Sequence, residues 1–215
     1  MKVKICGITT FEDAVMVAEA GADMLGFNFY APSPRYIHPE VCRELVQKLV
    51  AIYTNLTLVG VFVNSSCQEI ISIMDSCHLD LAQLCGDEPV ETLMQLGEKG
   101  FKAYRPKTMD DFQSALAAAP ERANPPAFLV DSFQRGSFGG SGQTADWSLA
   151  KQIAQKQDIL LAGGLTPENV AQAARQVQPW GVDVASGVES APGRKDPQKT
   201  VDFIQAVRNL EGETC

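Results

Sequence analysis

The segment Val3-Lys4-Ile5-Cys6-Gly7-Ile8-Thr9-Thr10-Phe11-Glu12-Asp13 sets a pattern that the rest of the chain repeats. Val3–Cys6 is a short apolar run of strand type, Gly7 supplies a turn, and Thr10 to Asp13 reads as Ser/Thr-x-x-acid, the signature of a helix start. Cys6 falls at the hand-over from strand to turn. A nucleophile or base fits there, and so does a small buried hydrophobe, since free cysteine is among the most buried residue types.

Further apolar runs follow at Met24–Phe29, Thr57–Val63, Leu81–Leu84, Phe101–Arg105, Ala127–Asp131, Ile159–Ala162 and Val182–Ala185. Most are continuous rather than alternating, as strands buried on both faces are. Helical patterns separate them: Phe11–Ala20, Pro39–Ile52, Gln68–Asp75, Pro89–Lys99, Met109–Ala118, Trp147–Lys156, Pro167–Arg175 and Pro197–Asn209. Several carry Pro near the first turn, where its missing donor costs nothing. Eight strand-helix units in 215 residues, with no Gly/Ser/Pro-rich linker, predict an α/β fold: one (β/α)8 TIM barrel domain over residues 1–215. A doubly wound open sheet is the alternative, but its G-x-G-x-x-G fingerprint is absent after the first strand.

At 45% hydrophobic and 20% charged residues, the composition is that of an ordinary globular protein, and no apolar run approaches the roughly 20 residues of a membrane span. Met1 to Lys4 leads straight into the first strand without a signal-peptide stretch, so cytoplasmic residence is expected. Six cysteines without a CxxC pair, and only two histidines, argue against a structural zinc site and predict reduced thiols. The net charge of −8 argues against a nucleic-acid partner but not against an anionic small molecule, which backbone N–H groups can hold.

In a barrel the chemistry belongs to the loops after the strand C-termini. After strand two, Pro32-Ser33-Pro34 stiffens a loop that presents Arg35, either to fork onto a carboxylate or phosphate or to lie along the surface on a packed stem. Asp131 closes the apolar run of strand six. Desolvation there would keep it protonated enough to act as an acid, while an N-cap is its bland use. A long segment follows, with Gly139-Gly140-Ser141-Gly142 before Asp146-Trp147. Strands seven and eight end in Gly163-Gly164 and Ser186-Gly187, the two places where barrels often bind phosphate.

Lys4-Ile5-Cys6-Gly7-Ile8-Thr9, Ser33-Pro34-Arg35, Gly60-Val61-Phe62-Val63-Asn64, Gln83-Leu84, Gly139-Gly140-Ser141-Gly142, Asp146-Trp147, Ala162-Gly163-Gly164-Leu165 and Ser186-Gly187-Val188-Glu189 together resemble the phosphoribosylanthranilate isomerase family of tryptophan biosynthesis, in order over nearly the whole chain. The resemblance implies a cofactor-free Amadori rearrangement of N-(5-phosphoribosyl)anthranilate, in a monomer or homodimer with no nucleic-acid or membrane partner. It gives Asp131 the part of acid and Cys6 that of base. Arg35 would meet the anthranilate carboxylate, and Gly163, Gly164, Ser186 and Gly187 would hold the phosphate. Gln83 and Asp183 are further substrate contacts. A base at Cys6 needs its thiol pKa lowered, for which the helix start at Thr10 is a candidate.

Two departures stand out: Cys85 replaces the histidine usual after Gln-Leu, and Ala145 replaces an aromatic often found before Asp146. Two alternatives remain. A related sugar-phosphate isomerase of the histidine-pathway type would carry an aspartate where this chain has Cys6. A non-catalytic phosphate-ligand-binding barrel would need neither Cys6 nor Asp131.

Overall fold

The computed structural model describes residues 1–118, 120–132 and 147–212. Eight strands, β1 (Lys2–Cys6), β2 (Met24–Asn28), β3 (Thr57–Phe62), β4 (Leu81–Leu84), β5 (Gly100–Tyr104), β6 (Phe128–Asp131), β7 (Ile159–Ala162) and β8 (Gly181–Val184), pair in parallel in chain order. β8 pairs back onto β1, which closes the barrel. The helices between them are α1 (Phe11–Glu19), α2 (Pro39–Val50), α3 (Cys67–Cys77), α4 (Val90–Leu96), α5 (Met109–Ala118), α6 (Ser148–Ala154), α7 (Val170–Val177) and α8 (Pro197–Gly212). No helix among the described residues is long and apolar enough to cross a membrane.

The continuous apolar runs are explained by two buried layers. Alternate strand residues point opposite ways, so Val3, Ile5, Leu25, Phe27, Phe62 and Val182 pack beneath the helices. Met24, Val59, Phe101, Leu129, Leu160 and Ala162 plug the barrel interior. Toward the C-terminal mouth the inward positions turn polar, with Lys4, Gln83 and Asp183 all buried.

Boundaries move where a local bond decides them. The Thr10 hydroxyl accepts from the Asp13 amide at 3.2 Å, fixing the start of α1 as expected. α3 begins at Cys67 because Ser66 caps it through the Glu69 amide. α7 begins only at Val170: Asn169 Oδ1 accepts from the Thr166 amide, holding that stretch in a turn. Past β8 lie elements the sequence did not announce, a 3-10 turn at Ser186–Val188 and an antiparallel hairpin of β9 (Glu189–Ala191) and β10 (Arg194–Lys195). Gly193, at φ +78°, makes the reversal.

Candidate active site

The two-residue period of β1 aims Lys4 and Cys6 at the barrel interior, where register sets Lys4 beside Asp183 of β8 and Cys6 beside Gly26 of β2. Lys4 is wholly buried, and its Nζ donates to Asp183 Oδ1 at 2.8 Å. Burial works against the Lys4 charge, but the Asp183 carboxylate outweighs it and holds the ammonium above its ordinary pKa. Gly26 leaves the room these groups need. A Cβ there would stand 2.9 Å from Cys6 Sγ and 3.2 Å from Lys4 Nζ, so thiol and ammonium share one small space. Burial pushes the Cys6 thiol up; Lys4 and Lys195 pull it down, and Asp183 adds to the rise. The net result leaves the thiol above its ordinary value, against the lowering expected from the sequence; what offset there is comes from the Lys4 and Lys195 ammonium groups rather than from the helix start at Thr10.

Across the mouth lies a cavity of about 610 Å³ whose lining includes Gln83, Cys85, Lys102, Arg105, Asp131 and Asp183. Asp131 Oδ2 accepts from Arg105 Nε at 2.8 Å. The sequence placed this carboxyl against an apolar wall. The structure sets it beside a guanidinium because Arg105 follows β5, the strand that pairs with β6. Gln83 Nε2 donates to Cys85 Sγ at 3.2 Å, while Gln83 Oε1 is buried with no hydrogen-bond partner among the described residues. Cys85 is exposed at the mouth, and the protein packed around its thiol pushes the pKa up while the Gln83 donor pulls it down. At the rim, the Glu88 carboxylate collects the Asn64 and Gly86 amides and pairs with Lys102, which fixes the loop after β4.

Arg35 leaves the loop after β2 and crosses Gly7, where a Cβ would meet Arg35 Cδ at 2.6 Å and φ is already +82°. Its fork reaches Glu189, Nε at 2.8 Å and Nη2 at 2.7 Å, so it is neither splayed along the surface nor wholly open to the mouth. Glu189 also accepts from Lys195 Nζ at 3.0 Å, and the same ammonium donates to Cys6 O at 2.7 Å and Ala185 O at 3.2 Å. Burial raises the cost of the Glu189 charge, yet Arg35 and Lys195 hold its carboxyl below the usual range. Burial likewise pushes the Lys195 ammonium down against the support of Glu189. One buried carboxylate therefore ties the ends of β1 and β8 to the Arg35 loop.

The two glycine-bearing loops meet. Gly163 and Gly164 take φ of +101° and +65°, and a Cβ on Gly187 would fall 1.9 Å from Leu165 O. Gly163-Gly164 and Ser186-Gly187 thus form one continuous backbone surface beside β7 and β8.

The structure brings Gln83, Asp131 and Asp183 onto one cavity, joins Cys6 to them through the Lys4–Asp183 pair, and holds Arg35 over the end of β1. Gly139 to Gly142 and Asp146 lie outside the described residues; Trp147 is buried. Sequence reasoning assigned no part to Lys4, Glu189 or Lys195. Lys4 was findable, since it sits two residues before Cys6 and a strand sends both to one face. Among the described residues, no group of three or more His, Cys, Asp or Glu is placed to hold a metal ion.

The family model for N-(5′-phosphoribosyl)anthranilate isomerase matches residues 3–206. The N-(5′-phosphoribosyl)anthranilate isomerase of Geotalea uraniireducens is 44% identical over 209 residues, 97% of this chain and 99% of that one. Among solved structures, phosphoribosyl anthranilate isomerase from Thermotoga maritima superposes with a TM-score of 0.84 at 38% identity, covering 98% of this chain and all of that one. A complex of such an isomerase with reduced 1-(o-carboxyphenylamino)-1-deoxyribulose 5-phosphate gives 0.82 at 37% identity, with 98% and 100% covered. Barrel order, motif order and near full-length identity agree, and the chain belongs to the phosphoribosylanthranilate isomerase family.

Proposed function

We propose that this chain catalyses the cofactor-free Amadori rearrangement of N-(5-phosphoribosyl)anthranilate to 1-(2-carboxyphenylamino)-1-deoxyribulose 5-phosphate, a cytoplasmic step of L-tryptophan biosynthesis carried by one domain over residues 1–215. The observation that carries the reading is the pairing of a carboxyl group, Asp131, and a thiol, Cys6, at the C-terminal ends of β6 and β1 in a barrel of this family.

One acid and one base suffice. Asp131 delivers a proton to the ribose ring oxygen; the ring C–O bond breaks as the nitrogen lone pair forms the Schiff base. Cys6 Sγ takes the C2′ proton, and the released electron pair moves toward the iminium nitrogen to give the enolamine. Protonation at C1′ with loss of the C2′ hydroxyl proton yields the ketone. Such proton transfers are each worth about 10²–10⁴-fold. Arg35 receives the anthranilate carboxylate on the part of its guanidinium that Glu189 does not engage. The Gly163-Gly164 and Ser186-Gly187 amides take the phosphate, as backbone N–H groups do without net positive charge. Gln83 and Asp183 line the space where the ribose lies; Gln83 Oε1 offers an acceptor there.

The test is to generate substrate in place from anthranilate and phosphoribosyl pyrophosphate and to follow anthranilate-type fluorescence with the pure protein. Loss of fluorescence dependent on the protein supports the reading. Saturable binding without turnover would replace it with the non-catalytic binder.

A further inference from the structure

A thiol that serves as a base must first lose its own proton, and the burial of Cys6 opposes that. Something in its surroundings has to favour the thiolate. The charged or titratable groups that act on Cys6 come from five places: Lys4 on its own strand, Asp183 on β8, Lys195 on β10, Arg35 after β2 and Cys85 after β4. Lys195 directs its ammonium to three acceptors, Cys6 O, Ala185 O and Glu189 Oε1. An ammonium has three donors, so none is left for Sγ. Arg35 turns two of its nitrogens onto Glu189. Lys4 differs: Nζ donates to Asp183 and keeps further N–H groups beside Sγ, in the notch that Gly26 opens.

We propose that Lys4 is the positioning residue for the Cys6 base: its ammonium, held by Asp183 in the barrel interior, supplies the positive charge against which the thiolate forms. The inference rests on the reading of Cys6 as base. Lys4 has no route to solvent, so its charge is neither screened nor displaced. Asp183 acquires a second part beside substrate contact, that of fixing Nζ next to the thiol. Left without Lys4, a thiolate would form facing the Asp183 carboxylate, two negative charges in one buried space.

The test measures the thiolate rather than turnover. Ligand-free protein is alkylated with iodoacetamide from about pH 6 to about pH 10, and label on the Cys6 peptide is quantified by mass spectrometry, since the thiolate is the reacting form. Lys4→Met should move the Cys6 profile to higher pH, slowing alkylation near neutral pH by at least about tenfold while leaving the high-pH limit unchanged. The pH dependence of kcat/KM should move with it. Lys4→Gln keeps a buried donor for Asp183 without the charge and should move the Cys6 profile the same way, which keeps the idea testable if Lys4→Met does not fold. A folded Lys4→Met or Lys4→Gln protein with the parent profile overturns the proposal. Cys6→Ser separates the two readings. Retained turnover in that variant would refute Cys6 as base, yet the alkylation profile would still decide what Lys4 does to the thiol.

Discussion

Replacing Glu189 by Gln should cost more stability than any single exposed ion pair in the molecule. Its side chain is 4% exposed and accepts from both fork nitrogens of Arg35 and from Lys195, whose side chain is fully buried. Removing one partner of a buried pair costs about 3–5 kcal/mol, because the other charge is left uncompensated. The lower end applies here. Lys195 keeps two carbonyl acceptors, and Arg35 is 23% exposed and can recruit water. About 3 kcal/mol in a chain of 215 residues corresponds to a fall in Tm of roughly 6–12 °C. The loss also has a pH signature. Arg35 and Lys195 depress the Glu189 carboxyl below its ordinary 4.5, so its contribution is complete above that value and fades as pH falls through the lower folded value. Urea unfolding of parent and Glu189→Gln by circular dichroism, at neutral pH and again below about pH 4, reads both effects. A difference under about 1 kcal/mol at neutral pH, or one that widens in acid, would refute the claim that this carboxylate ties the mouth together.

Three further substitutions probe the site. Arg35→Met removes the charge-assisted hydrogen bond that the part of the guanidinium not engaged by Glu189 offers the carboxylate, worth roughly 1.5–3 kcal/mol, and should raise KM by about tenfold to a hundredfold in steady-state kinetics; an unchanged KM removes Arg35 from carboxylate binding. Gly187→Ala places a Cβ 1.9 Å from Leu165 O, so the two loops must part, and product affinity by calorimetry should fall while anthranilate alone binds as before. Gly26→Ala drives a methyl between Cys6 Sγ and Lys4 Nζ, and the resulting shift should lower kcat by about a hundredfold; parent-like kcat would show that the notch is unimportant.

The eight units were legible because parallel strands covered on both faces must be apolar throughout, and the helix starts were legible where a hydroxyl caps them, as at Thr10. The hairpin after β8 was not. Its strands span three and two residues, too short for any period to show, and only Gly193 marks the turn. Motif reading singled out Cys6, Arg35 and Asp131 as candidates because each stands at a strand end or in the loop beyond it. It did not find what those groups touch. Lys4 meets Asp183 across 179 residues of chain, and Arg35 meets Glu189 across 154, contacts that exist only once β8 closes on β1. The surroundings of Asp131 were misread for the same reason: Arg105 reaches it from the neighbouring strand, 26 residues away.

Turnover of in-place substrate by Cys6→Ser and Asp131→Asn, measured beside the parent, tests most directly the base and acid roles proposed for Cys6 and Asp131. Both variants are close in size to the parent residues, so product affinity by titration and folding by circular dichroism should be retained. kcat should fall by about 10²–10⁴-fold in each, as for a lost general acid or base. A folded Cys6→Ser or Asp131→Asn protein that turns over at the parent rate would contradict the mechanism.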